Sequence, residues 1–453
     1  MLPKEFEVRM KEQLGERYSD FNQALQNVPP VSIRLNPKKF VNQEYHDSVP
    51  WAAEGRYLSS RPVFTLDPHL HAGAYYVQEA SSMFLEQAVI QSIDISKPLR
   101  VLDLCAAPGG KSTHLLSLLN SRSLLISNEV IRSRASILSE NIQKWGHHNV
   151  VVTNSDPEDF QALEGFFDLI VVDAPCSGEG LFRKDTDAMN EWSSANIELC
   201  SHRQQRILNA IWPSLKQEGV LIYSTCTYNE NENEENLLWL KNKKELEFIS
   251  IKCEDARGIQ EVNKGALIGY RFYPHRVKGE GLFISAVRKL EATQPIKIKP
   301  RFGLQPVPSK TKDRLRDWLH HFEEKELILL DDLICMIPKD RVADLEFIIS
   351  CLKTVLKGTA VATQKHEKLV PEHAFALSTE INKGIFTQLN LTKDQALSFL
   401  RKENLMLAEG QKGFALVNYE GSTLGWVNLL GNRVNNLYPS SWRIRMEAKS
   451  TFQ

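Results

Sequence analysis

Two cysteines are set where a thiol could do chemistry. The stretch "VVDAPCSGEG" (171–180) puts Cys176 directly after Pro175 at the end of an apolar run, and "LIYSTCTYNE" (221–230) puts Cys226 after Thr225 at the end of another. A thiolate attacks an electrophilic carbon and splits one hard step into two easier ones through a covalent adduct. That role needs partial exposure and a pKa below the free value of about 8.5, which loops at strand ends can offer. Cys200, Cys253, Cys335 and Cys351 have no motif beside them and read as small buried hydrophobes. Seven cysteines, an odd number without close spacing, point to a reducing compartment, hence a cytoplasmic protein. No Cys-x-x-Cys pair or Cys/His cluster has metal-ligand spacing, so no metal is expected.

A second chemical feature lies upstream, in "LDLCAAPGGKSTHLLSLL" (102–119). The turn Cys105, Ala106, Ala107, Pro108, Gly109, Gly110, Lys111 is built largely from small residues, which let a backbone approach a ligand closely. Glu129 follows Gly109 by about 20 positions at the end of the next strand-like run, the place for an acid that binds ribose hydroxyls. Asp156 and Asp173 end the two runs after that. One such acid would read as a helix cap or turn former; three at successive strand ends point to a ligand on that edge. The turn is neither G-x-G-x-x-G nor a P-loop, which speaks against a nicotinamide dinucleotide and against nucleoside triphosphates. S-adenosylmethionine, with no phosphate to cradle, suits it better.

The elements that must hold these residues alternate. "LRVLDLC", "SLLISNEV", "NVVVTNSD", "FDLIVVDAP" and "GVLIYSTCTY" are short, apolar and β-branched, as strands covered on both faces should be. Between them run helical patterns such as "IRSRASILSENIQKWG" and "ELCSHRQQRILNAIWPSLK". Strand–helix alternation predicts an α/β fold with a parallel, doubly wound sheet, and "RFYPHR" and "GLFISAVRK" fit closing strands at one edge.

Together, "LDLCAAPGGKSTHL", "DAPCSGEG", "STCTYNENENEEN", "AGAYYVQEASSM" and "RFYPHRVKGEGLFISAVRK" resemble the Nop/Sun family of RNA (cytosine-5)-methyltransferases over roughly residues 30–290. "LGWVNLLGNRVNNLYPSSWRIRM" resembles the PUA-like RNA-binding domain carried by small-subunit ribosomal RNA methyltransferases. The resemblance implies a Rossmann-like methyltransferase core with an N-terminal α+β extension. It also implies contact with S-adenosylmethionine by Cys105 to Lys111, Glu129, Asp156 and Asp173. The implied reaction is thiolate addition to carbon 6 of cytosine, which makes carbon 5 nucleophilic, followed by loss of the carbon-5 hydrogen and elimination of the thiol. In DNA enzymes the Pro-Cys thiol attacks, whereas in the RNA family the Thr-Cys thiol does. Cys226 is therefore the expected nucleophile and Cys176 the group that releases product. Asp173 is expected to reach the cytosine edge as well. Lys111 reads either as a positive charge near the base or as a surface lysine opening a helix. Most of "NENENEEN" (229–236) reads as helix capping.

The expected division of the 453 residues is 1–95, an N-terminal RNA-binding extension; 96–290, catalytic; 291–358, a basic linker and intermediate segment; and 359–453, PUA-like. Net charge is −1, but residues 288–316 carry nine Lys or Arg against Glu291 and Asp313, a stretch that suits a phosphate backbone or a solvated linker. "SIRLNPKK" (32–39) and Trp426, Arg433, Tyr438, Trp442, Arg443 and Arg445 are further candidate RNA contacts, with core packing the alternative for each aromatic. No apolar run is long enough to cross a bilayer, so no membrane partner is expected. The function expected is methylation of 16S ribosomal RNA by a cytoplasmic monomer acting on that RNA or on the small ribosomal subunit. A transfer RNA methyltransferase and a non-catalytic ribosome-assembly RNA-binding protein are the alternatives.

Overall fold

The computed structural model describes residues 2–39, 47–253, 258–294, 303–405 and 410–447. The proposed basic contacts Lys297, Lys299 and Arg301 lie outside them.

Five parallel strands form the centre of a ten-stranded sheet, in the spatial order Leu215–Thr225, Phe167–Asp173, Arg100–Asp103, Leu124–Asn128, Val150–Thr153. Their side chains divide between two cores, as β-branched runs covered on both faces must. Val101, Leu125, Val150, Leu169 and Val171 join one cluster, while Leu102, Leu124, Ile126, Ile170 and Val172 join the other. Helices Arg132–Trp145 and Ser194–Ile211 fall where the helical patterns predict. The antiparallel strands Leu282–Lys289 and Leu267–Phe272 extend the sheet beyond Leu215–Thr225, and Gln260–Lys264 forms that edge. Chain direction through the sheet reverses beside Arg100–Asp103: the strands that follow it run to one side, then Phe167–Asp173 returns to the other. Ligands of such sheets bind at the carboxyl edge over this switch point. Cys105, Asp173 and both thiol loops sit there.

Before the core, helices Lys4–Leu14 and Tyr18–Gln26 precede a three-stranded antiparallel sheet of Gly55–Leu58, Val31–Leu35 and Tyr75–Val77. After it, a five-stranded sheet (Gln305–Pro306, Lys325–Leu330, Leu333–Pro338, Thr359–Lys365, Lys368–Pro371) leads to a four-stranded one (Thr387–Asn390, Lys412–Tyr419, Ser422–Leu430, Val434–Asn436). The segment read from composition as a linker thus holds strands, and a boundary at 358/359 runs through the pairing of Leu333–Pro338 with Thr359–Lys365. Thr354–Lys357 crosses over to become the far edge of the catalytic sheet against Val150–Thr153. Prolines and lysines marked the exposed side of this region and masked its short strands.

Candidate active site

The turn after Arg100–Asp103 enters helix Gly110–Leu118 through Gly109, whose φ of 117° is left-handed. A side chain there would be strained, and its Cβ would stand 3.3 Å from Leu138 Cδ1. Thr113 closes the turn, its N–H donating to Gly109 O at 2.9 Å. Beside the turn lies a cavity of about 430 Å3, lined among others by Cys105, Ala107, Glu129, Asp156, Asp173 and both Cys176 and Cys226. Its volume is that of a small-molecule site. Ala106, Pro108, Gly109, Gly110 and Lys111 do not line it; they shape the turn behind it.

The acids are held by local bonds. Glu129 accepts from Ile131 N–H at 2.9 Å and faces the Arg134 guanidinium at 3.4 Å. Asp156 caps the short helix Pro157–Leu163 through a capping box with Asp159, so the bland reading of this residue holds alongside its place on the cavity wall. Asp173 accepts from Ser224 Oγ at 2.7 Å and pairs with Lys111 Nζ at 2.8 Å. Lys111 is therefore no surface lysine. Burial alone would push its pKa down, but Asp173, Asp103 and Cys226 outweigh burial and hold it above the usual lysine value.

Sequence reasoning missed Asp103, which stands inside the quoted "LDLC" motif. It is fully buried; burial lifts its pKa to about 7 against the pull of Ser112 Oγ (2.6 Å) and Lys111. Its Oδ1 has no partner among the described residues. Three acids on the cavity wall, Glu129, Asp156 and Asp173, beside a small-residue turn fit a cationic, phosphate-free ligand such as S-adenosylmethionine.

Cys176 Sγ and Cys226 Sγ are 3.1 Å apart, in hydrogen-bond contact. This overturns the expectation of a depressed pKa at Cys176. The hydrogen bond to Cys226, then burial, raise its pKa well above the ordinary thiol value.

What brings the two loops together is a buried polar network. Glu232 accepts from Ser177 N–H (3.0 Å), Gln204 Nε2 (2.8 Å) and Asn229 Nδ2 (2.7 Å), and Gln204 also donates to Pro175 O at 2.9 Å. Glu179 accepts from the backbone N–H of Tyr228 and Asn229, from Trp192 Nε1 and from Arg9 of the first helix. Gly180 N–H donates to Cys226 O at 2.8 Å. The capping reading of "NENENEEN" fails for most of it: Asn229, Glu232, Asn233, Glu234 and Asn236 are buried, and Asn233 makes no side-chain cap bond. Alternating Asn and Glu beside a thiol was the available signal, and it also describes an ordinary helix start.

Within "SIRLNPKK" the expectation is corrected for Arg34. Arg34 is wholly buried, donating to Gln78 Oε1 and Thr113 Oγ1 (both 2.7 Å) with its guanidinium 4.5 Å over the Trp145 ring. It ties the N-terminal sheet to the helix that opens at the turn. Burial lowers its pKa to about 9. In the C-terminal sheet Trp426 and Tyr438 are core residues, while Arg433, Arg443 and Arg445 are exposed.

Residues 91–288 match the family model described as 16S rRNA methyltransferase RsmB/F. Residues 2–80 match the N-terminal domain of 16S rRNA methyltransferase RsmF, and 386–444 the methyltransferase RsmF PUA domain. Ribosomal RNA small subunit methyltransferase F of Psychromonas ingrahamii is 30% identical over 93% of both chains, and that of Aeromonas salmonicida 32% over 90% of both. A methyltransferase homolog from Pyrococcus horikoshii is 28% identical with a TM-score of 0.55, over 64% of this chain and 95% of the other. NSun6 of the same organism, solved with SFG, an S-adenosylmethionine analogue, shares the fold at a TM-score of 0.54 and 22% identity, over 64% of this chain and 98% of that one. Fold, cleft and matches together define an S-adenosylmethionine-dependent RNA methyltransferase. Within that class, the chain belongs to the ribosomal RNA small subunit methyltransferase F family.

Proposed function

We propose that this chain methylates carbon 5 of cytosine in 16S ribosomal RNA, with Cys226 as nucleophile and Cys176 as the group that releases product. The observation that carries this reading is the contact of the two thiols on the wall of the cavity that Glu129 and Asp173 also line. S-adenosylmethionine supplies an electrophilic methyl group, and Cys105, Ala107, Glu129, Asp156 and Asp173 would hold it, with the rest of the turn to Lys111 shaping the wall behind. Cys226 adds to carbon 6, forming a C–S bond and moving electron density to carbon 5. Carbon 5 then takes the methyl group, which leaves the sulfonium as a neutral thioether; the carbon-5 proton passes to a water base in the cleft, and its electron pair expels Cys226 as thiolate while the C–S bond breaks. Either sulfur of the pair can carry the shared proton, and this reading assigns it to Cys176 so that Cys226 is the attacking sulfur. Asp173 would hold the amino edge of the base, a role its contacts with Lys111 and Ser224 support.

The matched families act on small-subunit ribosomal RNA by their names, which favours that target over transfer RNA. We place the protein in the cytoplasm as a monomer, with 1–95 and the PUA-like part that includes 386–444 handling RNA around the catalytic 96–290. Among the described residues no helix is long and apolar enough to cross a membrane.

The test incubates Cys226→Ala and Cys176→Ala proteins with S-adenosylmethionine and undermodified ribosomal or transfer RNA, reading denaturation-resistant protein–RNA adduct. Adduct in the Cys176 variant and none in the Cys226 variant is expected. The reverse pattern would reassign the nucleophile, and no methyl transfer by the parent protein would sink the enzymatic reading.

A further inference from the structure

A second cavity, of about 460 Å3, lies apart from the catalytic cleft where three parts of the chain meet. Lys38 and Lys39 come from the loop after the strand Val31–Leu35, Lys383 from the segment that joins the two C-terminal sheets, and Gly421 to Thr423 from the start of the strand Ser422–Leu430. Among the described residues no Asp or Glu lines it. Glu380 is the acid closest in sequence to Lys383, and it is engaged by Lys325 at 2.8 Å. Lys39 Nζ donates to Ala72 O at 2.7 Å and Lys144 O at 2.5 Å, and a third N–H is free for a ligand when a bound anion keeps the amine protonated. Burial, then the nearby Lys383 charge, push its pKa well down, and burial lowers that of Lys383. Three lysines converge here against Glu380, which already answers Lys325 and His148 and also feels the Lys38 charge, so an anion in the cavity would offset the positive charge that remains. Chance alignment of surface lysines does not explain the arrangement, because the lysines come from segments more than 300 residues apart in sequence.

We propose that this cavity binds a phosphate group of the RNA backbone, remote from the target base and held jointly by the N-terminal loop and the C-terminal part. The proposal rests on the RNA methyltransferase reading and names a contact by which that substrate is held. It gives Lys38, Lys39 and Lys383 the function of positioning RNA, and it makes the docking of the C-terminal part onto the core a condition for a complete RNA surface.

The test measures RNA affinity across salt concentrations for the parent protein and for Lys38→Gln, Lys383→Gln and Lys97→Gln. Lys97 has a side chain 72% exposed on a loop away from the cavity and controls for simple loss of charge. A lost phosphate contact on single-stranded RNA lowers the slope of log affinity against log salt by about 0.7. We expect that decrease, with affinity roughly fivefold to tenfold weaker near 0.1 M salt, for the Lys38 and Lys383 variants and no change for Lys97→Gln. Lys39→Met is not the decisive variant, since Lys39 also ties two backbone carbonyls together. A parallel arm follows thermal unfolding in inorganic phosphate, which should raise the midpoint of the parent protein more than that of Lys383→Gln. Unchanged slopes in the cavity variants overturn the proposal. Phosphate protection together with unchanged slopes identifies a free-phosphate site instead. Methyl transfer by the parent protein is scored separately, so failure of the enzymatic reading and failure of this one are distinguishable.

Discussion

At the end of the central strand the Asp103 carboxyl group is held out of water, with one oxygen on Ser112 and the other without a partner among the described residues. Its folded pKa, about 7, is raised above the ordinary 3.8 by burial. The sign follows: the stability Asp103 contributes is full below pH 3.8 and is lost as pH rises through about 7. Urea unfolding of the parent protein and Asp103→Asn between pH 4 and 8 should show it. The parent's stability relative to the variant should fall by roughly 1.4 kcal/mol per pH unit up to about pH 7 and level off above it. A flat difference would mean that the carboxyl ionises normally. At Cys176 the same logic predicts easier ionisation once Cys226 is gone, because the largest cause of its raised pKa is the hydrogen bond to that thiol. Alkylation of Cys176 in Cys226→Ala at pH 8 should outpace its alkylation in the parent protein; an equal rate would argue that burial dominates.

The two loops at the strand ends work as one unit, closed by backbone contact and by Glu232. Gly180 sits so near the second loop that a Cβ would lie 2.9 Å from Cys226 O and 2.6 Å from Gly281 O. Gly180→Ala must shift backbone, and a displacement near 1 Å at a reacting group costs on the order of 100-fold in rate. Single-turnover methyl transfer should drop by at least tenfold with the melting temperature little changed. A variant with full activity would show that the loops slide freely. Glu232→Ala strips acceptors from Ser177 N–H, Gln204 and Asn229. A loss of about 1–3 kcal/mol is expected, the cost of an unsatisfied buried polar group, measured by denaturant unfolding.

Across the whole molecule, the flanking parts brace the catalytic core instead of hanging from it. Phe6, Met10 and Phe21 of the first two helices pack with Phe182, Trp192, Tyr228 and Tyr273 around the thiol loops. On the other side Thr379 N–H donates to Gly146 O at 2.9 Å, and Lys144 lies 5.3 Å from the Trp442 ring centroid. Both contacts reach the end of helix Arg132–Trp145, whose Arg134 lines the cofactor cavity. Gly146 is left-handed (φ 89°), and a Cβ there would stand 2.2 Å from Leu377 O. Gly146→Ala should therefore separate the C-terminal part from the core, cost more than about 2 kcal/mol and split unfolding into two transitions. A single unshifted transition would show that the junction carries little energy.

How much was legible in the sequence follows from range. Apolar β-branched runs fixed the five parallel strands, because a strand buried on both faces leaves no room for polar letters. Small residues marked the turn at Gly109, and two Pro-Cys and Thr-Cys strand ends marked the thiols. None of those patterns says that Cys176 and Cys226 touch, that Arg34 and Lys39 face inward, or that Glu179 and Glu232 hold the loops. Thr354–Lys357 joining the catalytic sheet was equally invisible, since its partner Val150–Thr153 is about 200 residues away. Period and turn chemistry act between neighbours along the chain and are written in it. A charged residue is the same letter whether solvated or buried. Its partners and its desolvation, which set what it can do, exist only once distant segments have packed around it.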